Sequence, residues 1–405
     1  MVVNKITNKK KVITYIAPAI PALSETFVYN EIFALRERGY IVHPLSIHVP
    51  DQVSDKVRDR MGPIHYLYRD GFIRFVVSFF MCLLTRPAGT FRGLGWVISD
   101  FFHVGIFKLA AYKLFYQFLA ACRAARLSRE NWTDHLHAHF ANVPCQVGMY
   151  TSAISGVPFT VTSHANDIFE HGLILRRKAD RAKYFLTISD FNKRFLEKIG
   201  IPADKIRIVR CGVDLKFDAQ ENENSDIVRV CSLGRLVEKK GMPTLLEAIS
   251  ILKNRGVSVR LSIAGDGPEQ EAIKQKIKEL DVSDCVEMIG ALDNSEVAAW
   301  MAKHDIFALA CQKDSNGDMD GIPVVLMEAM MLGIPVITTK ISGIPELVID
   351  EETGLLVDPE DAEALADAIE NRNEQKRLIK KAARHVVDEF GRDVNIDRLE
   401  AIFNE

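Results

Sequence analysis

The chain has 405 residues, of which 48% are hydrophobic and 26% charged, and its formal net charge is -3 at pH 7. This length predicts about two to three domains with an ample core, and the slightly acidic balance argues against general nucleic-acid binding. Seven scattered cysteines without a Cys-x-x-Cys pair favour reduced thiols over a disulfide framework or a zinc site. The N-terminus is polar and basic and does not resemble a signal peptide, so we expect a cytoplasmic protein.

Strands and helices alternate along the first half of the chain. A helix is predicted over residues 25–38, and Gly39 supplies its C-terminal cap. Short buried strands are predicted over residues 11–17, 40–46, 135–139, 158–163 and 184–189. This alternation is typical of a parallel sheet that is covered by helices on both faces.

The segment 71–127 is unusual because it is rich in Phe, Val, Leu and Trp. Its longest uncharged run, 75–84, is well short of the roughly 20 residues that span a bilayer. One interpretation is a pair of amphipathic helices buried in the domain core. The other is a basic, aromatic face that rests on an anionic membrane near a lipid-linked substrate. Basic residues are interspersed along the segment: Arg74, Arg86, Arg92, Lys108, Lys113, Arg123 and Arg126.

A second series of elements follows a polar, acidic linker at 218–226. Strands are predicted over 227–233, 259–264, 286–289, 306–310, 335–339 and 354–357. Helices are predicted over 243–254, 269–280, 295–303 and 323–331. The chain is therefore expected to form two doubly wound α/β halves. Ligands of such sheets bind at the carboxyl ends of the strands, so both halves could line one cleft.

Two carboxylates, Asp320 and Glu328, flank a glycine, a proline and an apolar run. A helix that begins just after Pro323 would leave Asp320 in the entering loop and Glu328 about one turn inside the helix. A helix N-terminus attracts anions. Acids at such a place are best understood as acceptors for hydroxyl groups of a sugar and a ribose next to a phosphate. This arrangement predicts a nucleotide-sugar site.

The loop after the strand 227–233 supplies the positive charge that such a site needs. Gly234 lets the backbone approach a ligand, Arg235 offers a fork of donors, and Lys240 offers a point charge. These groups could clamp a diphosphate and stabilise it as it leaves. The alternative is a surface loop with three ordinary basic residues, Arg235, Lys239 and Lys240.

The second half resembles the retaining glycosyltransferases of family four. Four motifs follow one another in the order seen in that family: Gly234-Arg-x4-Lys240, Ala264-Gly-Asp-Gly-Pro268, Asp320-x7-Glu328 and Gly343-x-Pro-Glu346. The first half is similar to a subgroup that builds exopolysaccharides such as colanic acid. Three motifs carry this likeness: Leu23-Ser-Glu-Thr-Phe27, His137-Ala-His-Phe-Ala141 and Ser163-His-Ala-Asn-Asp167.

The resemblance implies the GT-B architecture, in which two Rossmann-like, doubly wound domains face each other across a cleft. We expect an N-terminal acceptor-side domain over 1–217, the linker, a nucleotide-sugar-binding domain over 227–385, and a C-terminal helix over 386–405 that crosses back. The implied donor is a nucleotide-diphosphate-sugar, UDP-linked rather than GDP-linked, used with no cofactor and no metal. The acceptor would be a glycan or a lipid-linked glycan. The setting would be exopolysaccharide or lipopolysaccharide biosynthesis at the inner face of the cytoplasmic membrane.

The resemblance also implies roles for individual residues. Arg235 and Lys240 would hold the diphosphate, Asp320 the transferred sugar and Glu328 the ribose, while His164 would lie near the sugar. In this family the bond forms with retention, and the departing phosphate oxygen can take the acceptor's proton. The complete donor set is Gly234, Arg235, Lys240, Gly265, Gly290, Leu292, Asp320, Gly321, Ile322, Pro323, Val324 and Glu328. Asp320, His164, Arg235 and Lys240 form the expected catalytic set, and Ser24, Glu25, Thr26 and His139 are assigned to the acceptor side.

Several patterns leave alternatives open. Asp318-x-Asp320 could hold a divalent metal, but the basic residues already supply cationic charge. His135, His137 and His139 would share one face of a strand and could form a metal site, although no carboxylate has a matching spacing. Glu25 could be a plain acid at a helix N-terminus. The first acid of the family motif is usually glutamate, so the shorter Asp320 leaves the donor sugar open.

Two other functions compete with a retaining glycosyltransferase. A nucleotide-sugar epimerase can share this architecture, but it would need a dedicated acid/base pair, and the sequence offers no obvious one. A non-catalytic, membrane-docked partner subunit would be expected to have lost Arg235, Lys240 or Glu328, and all three are present.

Overall fold

The computed structural model describes residues 10–22, 25–50, 55–214, 216–217, 226–371 and 376–405. The chain divides into two compact units. The first unit contains the residues up to 187 together with 193–209 and 396–405. The second contains 188–192 and 210–395.

The first unit is built on a seven-stranded sheet with the order β3-β2-β1-β4-β5-β6-β7. All neighbouring strands of this sheet run parallel. The strands are β1 (Val12–Ala19), β2 (Ile41–His48), β3 (His65–Tyr66), β4 (His135–His139), β5 (Phe159–Ser163), β6 (Tyr184–Thr187) and β7 (Ile206–Ile208). The strand order reverses between β1 and β4, which is the point where doubly wound sheets open a crevice.

Within the described residues, nine helices accompany this sheet in chain order. They are α1 (Thr26–Glu37), α2 (Asp55–Met61), α3 (Gly71–Thr85), α4 (Pro87–Val104), α5 (Leu109–Glu130), α6 (Val143–Ser155), α7 (Asn166–Phe169), α8 (Leu175–Arg181) and α9 (Asp190–Lys198). Helix α9 begins in the second unit and ends in the first. Short 3-10 turns occur at Leu67–Asp70 and Ala203–Lys205.

Both faces of the first sheet are buried. Side chains of a strand alternate between the two faces, so Ile13 and Tyr15 of β1 enter one hydrophobic core and Ile16 enters the other. The first core also contains Leu399 and Phe403 from the C-terminal end of the chain. Burial on both sides explains why β1 reads as a continuous apolar run.

The second unit is built on a six-stranded parallel sheet with the order β10-β9-β8-β11-β12-β13. Its strands are β8 (Val228–Leu233), β9 (Val259–Ala264), β10 (Val286–Gly290), β11 (Ile306–Leu309), β12 (Val336–Thr339) and β13 (Leu355–Val357). Its order reverses between β8 and β11.

Among the described residues, seven helices belong to the second unit, and the C-terminal helix starts in this unit. They are α10 (Met242–Asn254), α11 (Gln270–Glu279), α12 (Asn294–Met301), α13 (Val324–Met331), α14 (Ile344–Leu347), α15 (Ala362–Glu370), α16 (Ile379–Phe390) and α17 (Arg392–Asn404). Helix α17 ends in the first unit, since residues 396–405 belong to it. Short 3-10 turns occur at Glu238–Lys240 and Lys376–Leu378.

The two Rossmann-like parallel sheets confirm the predicted fold class. The domain limits remain a prediction, because most of the proposed linker, 218–225, lies outside the described residues. Of the two interpretations of the segment 71–127, the pair of buried helices does not match the structure: the segment forms three helices, α3 to α5, and leaves many apolar side chains exposed. None of the described helices combines the length and the apolar character needed to cross a bilayer.

Candidate active site

The predicted phosphate loop and the predicted acid pair emerge at the same edge of the second sheet. Strand β8 ends at Leu233 and β11 at Leu309, and these two strands are neighbours. The loops that follow them therefore start at the switch point of the sheet, where ligands of doubly wound folds bind. Residues separated by about eighty positions in sequence are brought together here.

Lys240 and Asp320 form an ion pair at this edge of the sheet. The Lys240 Nζ atom lies 2.6 Å from Asp320 Oδ2, and Lys239 Nζ lies 2.7 Å from Asp318 Oδ2 and 3.4 Å from Asp320 Oδ1. Burial alone would raise the pKa of Asp320, but the charges of Lys240 and Lys239 outweigh it and leave the pKa below its ordinary value. Burial opposes protonation of Lys240, yet Asp320 raises its pKa above the ordinary value. Both groups are therefore charged at neutral pH.

Two glycines allow the backbone to pass close to this pair. Gly241 has φ = 62°, and a Cβ atom there would lie 1.8 Å from the Ala310 carbonyl oxygen. Gly265 has φ = 129°, and a Cβ atom there would lie 2.0 Å from the Gly234 carbonyl oxygen. A larger residue at either position would push the loops apart.

Helix α13 begins where the sequence predicted. Pro323 is its N-cap and Val324 its first residue, and no acid lies in the first turn. Gly321 and Ile322 are buried in the entering loop. Glu328 lies one turn inside, and burial raises the pKa of its carboxyl group. Among the described residues, no hydrogen bond or ion pair engages the Glu328 carboxylate.

The remaining predicted donor residues lie around this edge with different exposures. Arg235 is exposed, and its guanidinium makes no ion pair within the described part of the chain. The Gly265 backbone N–H donates to the Gly290 carbonyl oxygen at 2.7 Å, which joins the ends of β9 and β10. Leu292 is half-buried just beyond.

The Gly343-x-Pro-Glu346 motif has a structural role. A Cβ atom on Gly343 would lie 2.9 Å from both Ile322 and Ser189, so only glycine fits. The Glu346 carboxylate accepts hydrogen bonds from the backbone N–H groups of Asp190 and Phe191, at 3.0 and 2.8 Å. A third bond comes from Arg210 at 2.7 Å. The motif therefore binds the segment 188–192 and the start of α9 into the second unit.

In the first unit, His139 and His164 lie at the carboxyl ends of β4 and β5. His139 Nε2 lies 3.0 Å from a Glu31 oxygen, and His139 Nδ1 lies 3.3 Å from His164 Nε2. Because a carboxylate only accepts, the Nε2 atom of His139 is the donor to Glu31. The rings of Phe27 and Phe140 each pack 4.6 Å from the His164 ring, and burial lowers the pKa of His164 well below its ordinary value.

The other acceptor-side residues surround the start of α1. Glu25 precedes the helix, and burial is the main reason why its pKa rises to about 7. Stabilisation by the helix dipole would act in the opposite direction and lower this pKa. Thr26 is the first helical residue, and Ser24 lies outside the described residues. Asp167 accepts from the backbone N–H groups of His164 and Ala141 and so fixes both strand-end loops.

Comparison with known proteins agrees with these motifs. The family profile described as Glycosyltransferase Family 4 matches residues 24–217, and the profile described as Glycosyl transferases group 1 matches residues 214–385. The amylovoran biosynthesis glycosyltransferase AmsK of Erwinia amylovora is 30% identical over 87% of this chain and 88% of its own length. The chain belongs to glycosyltransferase family four.

Further similarities support this assignment. The putative colanic acid biosynthesis glycosyltransferase WcaL of Salmonella typhimurium is 31% identical to this glycosyltransferase, over 85% of this chain and 86% of its own length. Among solved structures, Anabaena HepE in complex with UDP and glucose aligns with a TM-score of 0.70. That alignment covers 97% of this chain and 99% of HepE at 16% identity, so it supports the fold alone.

Three contributors to these clusters in the glycosyltransferase were not predicted. Lys239 was named only in the alternative of an ordinary surface loop, but it neutralises Asp318 and contacts Asp320. Glu31 was not predicted as a partner of the strand histidines, because it comes from α1, more than a hundred residues earlier in the sequence. Glu346 was recognised only as part of a motif. A signal for Lys239 was present in the sequence, since two adjacent lysines can match two acids spaced by one residue.

Two places in this glycosyltransferase bear on metal binding. Among the described residues, the side chains of Glu31, His137 and His139 have ligand atoms within 4.8 Å of one another. Helix α1 therefore supplies a carboxylate next to the strand histidines that their spacing in the sequence does not reveal. At the other place, Asp318 and Asp320 are already neutralised by lysines, which disfavours a divalent cation there.

Proposed function

We propose that this glycosyltransferase transfers a hexose with retention from a nucleotide-diphosphate-sugar, UDP-linked rather than GDP-linked, to a glycan acceptor in exopolysaccharide biosynthesis. The named roles of AmsK and WcaL in amylovoran and colanic acid biosynthesis support the polysaccharide setting. The choice of UDP over GDP rests on the resemblance to the family alone.

The observation that carries the proposal is the Lys240–Asp320 pair at the switch point of the second sheet. An ammonium group has three donors, so Lys240 can hold Asp320 and a phosphate oxygen at the same time. This arrangement would place a carboxylate beside the sugar and a cation beside the diphosphate. Arg235 would contribute a second, exposed cation, and Glu328 an acceptor for the ribose hydroxyls.

The proposed reaction needs no protein base. The bond between the anomeric carbon and the phosphate oxygen breaks, and its electron pair goes to the diphosphate. Arg235 and Lys240 stabilise that charge as it develops. The acceptor oxygen bonds to the anomeric carbon on the same face, and its proton passes to the departing phosphate oxygen. Asp320 orients the sugar through a hydroxyl group and keeps its charge throughout.

We propose that transfer is independent of metal. Lys239 and Lys240 occupy the positions from which Asp318 and Asp320 would otherwise bind a divalent cation. The basic residues supply the charge that a metal would bring to the diphosphate.

We further propose a lipid-linked acceptor, and a position at the inner face of the cytoplasmic membrane. The apolar exposed side chains of α3 to α5 support this location.

The test is a screen of UDP- and GDP-sugars with the purified protein, in which released nucleotide and the recovered sugar are measured. We expect release of UDP from one UDP-sugar with no epimerised donor. An epimer without nucleotide release would indicate the epimerase instead. No turnover of any donor, with or without added glycan, would indicate a non-catalytic subunit.

A further inference from the structure

The exposed apolar side chains of this protein are concentrated in one part of the first unit. The described residues include twenty-one exposed large hydrophobic side chains. Fourteen of them lie between residues 72 and 116, on α3, α4, α5 and the connection before α5. Phe107 in that connection is 96% exposed. Soluble domains rarely leave such a concentration of apolar groups uncovered, and it marks an interaction surface. We call it the α3–α5 surface.

Helix α3 shows most clearly that the exposure is organised. Ile73, Val77, Phe80 and Leu84 are exposed and follow each other at intervals of three or four residues, so they form one stripe along the helix. The opposite positions, such as Phe75, are buried. A surface helix normally exposes polar residues to solvent, whereas α3 exposes apolar ones.

The charges around this surface are mostly positive, and the neighbouring acids Asp70 and Glu130 pair with Arg74, Arg123 and Arg126. Residues 71–129 contain eight basic side chains and a single acid, Asp100. Asp100 is buried and lies 2.6 Å from both Arg177 and Arg181. Five of the basic side chains make no ion pair among the residues that the structure describes: Arg86, Arg92, Lys108, Lys113 and Arg129. The surface therefore combines exposed apolar groups with uncompensated positive charge.

Three of these arginines border a cavity next to the end of α3. Arg86, Arg92 and Arg129 line a volume of about 470 Å³ whose lining contains no carboxylate. A neighbouring cavity of about 680 Å³ is again lined by Arg86 and Arg129, but its lining also contains the carboxylates of Glu130 and Asp134. The smaller cavity, whose lining has no carboxylate, suits a phosphate group that remains attached to an apolar molecule.

We propose that the α3–α5 surface docks on an anionic lipid bilayer, with its apolar side chains in the interface and Arg92 and Arg129 on lipid phosphates. A second copy of this chain is a poorer occupant. A two-fold contact sets a surface against itself, and here it would bring like charges together. The inference deepens the membrane location proposed above and does not depend on the donor chemistry.

The experiment is flotation of the full chain with vesicles of phosphatidylcholine alone or mixed with phosphatidylglycerol. We expect binding to the mixed vesicles at low salt, weaker binding to phosphatidylcholine, and release from the mixed vesicles as salt increases. The double variant Ile106→Ser/Phe107→Ser removes two exposed apolar side chains from the surface. The double variant Arg92→Gln/Arg129→Gln removes two charges. Each should weaken vesicle binding about tenfold or more.

Controls lie in the second unit, where Val387→Ser and Lys274→Gln change exposed side chains and should leave vesicle binding unchanged. Equal binding of all variants, or no binding of the wild type, would overturn the proposal. Self-association that the Ile106→Ser/Phe107→Ser variant abolishes, without vesicle binding, would assign the surface to a second copy instead. Release of nucleotide from the donor, assayed without vesicles, reports separately on the proposed chemistry.

Discussion

At the scale of single residues, the donor site is defined by which charges are already paired. Lys240 and Asp320 satisfy each other, whereas the Glu328 carboxylate has no partner among the described residues. Burial without a partner raises the pKa of Glu328 and is unfavourable for the protein alone. Such a group is better explained by a ligand than by stability, and we assign it to the ribose.

The change Glu328→Gln tests this assignment. Glutamine keeps the size of the side chain but replaces a charged acceptor, so we expect KM for the donor to rise about tenfold while the folded structure is kept. Steady-state kinetics with the donor found by the screen measure the effect. Glu279→Gln, on the exposed face of α11, is the matched control. An unchanged KM would remove Glu328 from the donor site.

Glu25 provides a prediction on pH. Its pKa in the folded protein is about 7, above the ordinary value of 4.5. The folded chain therefore holds a proton that the unfolded chain loses, and this contribution to stability declines as pH rises from about 4.5 to 7. We expect Glu25→Gln to be more stable than wild type by roughly 3 kcal/mol at pH 8 and no more stable at pH 4.5. Thermal denaturation at the two pH values measures this, and a difference that does not depend on pH would contradict it.

At the scale of elements, the strand order explains why distant motifs meet. Short hydrophobic runs in the sequence predicted the limits of most strands to within two residues. This worked because parallel strands are buried on both faces and therefore consist of consecutive apolar residues. The strands β3 and β7, two and three residues long, were not predicted, since such short strands have no period to detect. The sequence left two interpretations open for the segment that contains helix α3, because periodicity shows that a helix is apolar but does not reveal whether its outer face is covered.

The start of α9 depends on one carboxylate from another element. Glu346→Ala removes three hydrogen bonds and leaves Arg210 partly buried without that partner. We expect the free energy of unfolding to fall by about 3 kcal/mol, with KM for the donor little changed. Urea denaturation followed by circular dichroism measures the loss. Glu352→Ala, which removes an exposed partner of Lys381, is the control and should cost far less. A large rise in KM with unchanged stability would instead place Glu346 at the donor.

At the scale of the whole molecule, the sequence indicated two Rossmann-like sheets and the family. It could not indicate the partners that folding supplies. Lys239 acts on Asp318 only because β8 and β11 are neighbours, and Glu31 reaches His139 only because α1 packs beside β4. Loop residues of such sites depend on tertiary contacts that local patterns do not encode.

The proposed metal independence can be tested on the complete enzyme. We expect donor turnover to persist after dialysis against a chelator, because lysines already neutralise the Asp318 and Asp320 carboxylates. Turnover before and after dialysis, and after addition of manganese or zinc, measures this. Loss of activity that manganese restores would assign a metal to the aspartates. Restoration by zinc would point to Glu31, His137 and His139.

The most direct test of the account is the turnover of the donor by the Lys240→Ala variant. Lysine 240 is proposed to stabilise the diphosphate as it leaves, and removal of one such preorganised donor typically slows a reaction about a hundredfold. The control is Lys274→Ala, since Lys274 is exposed and forms an ion pair with the exposed Glu271 on its own helix. The account predicts a loss of kcat of at least about a hundredfold for Lys240→Ala and none for the control. Turnover of Lys240→Ala close to that of the wild type would contradict the proposed mechanism.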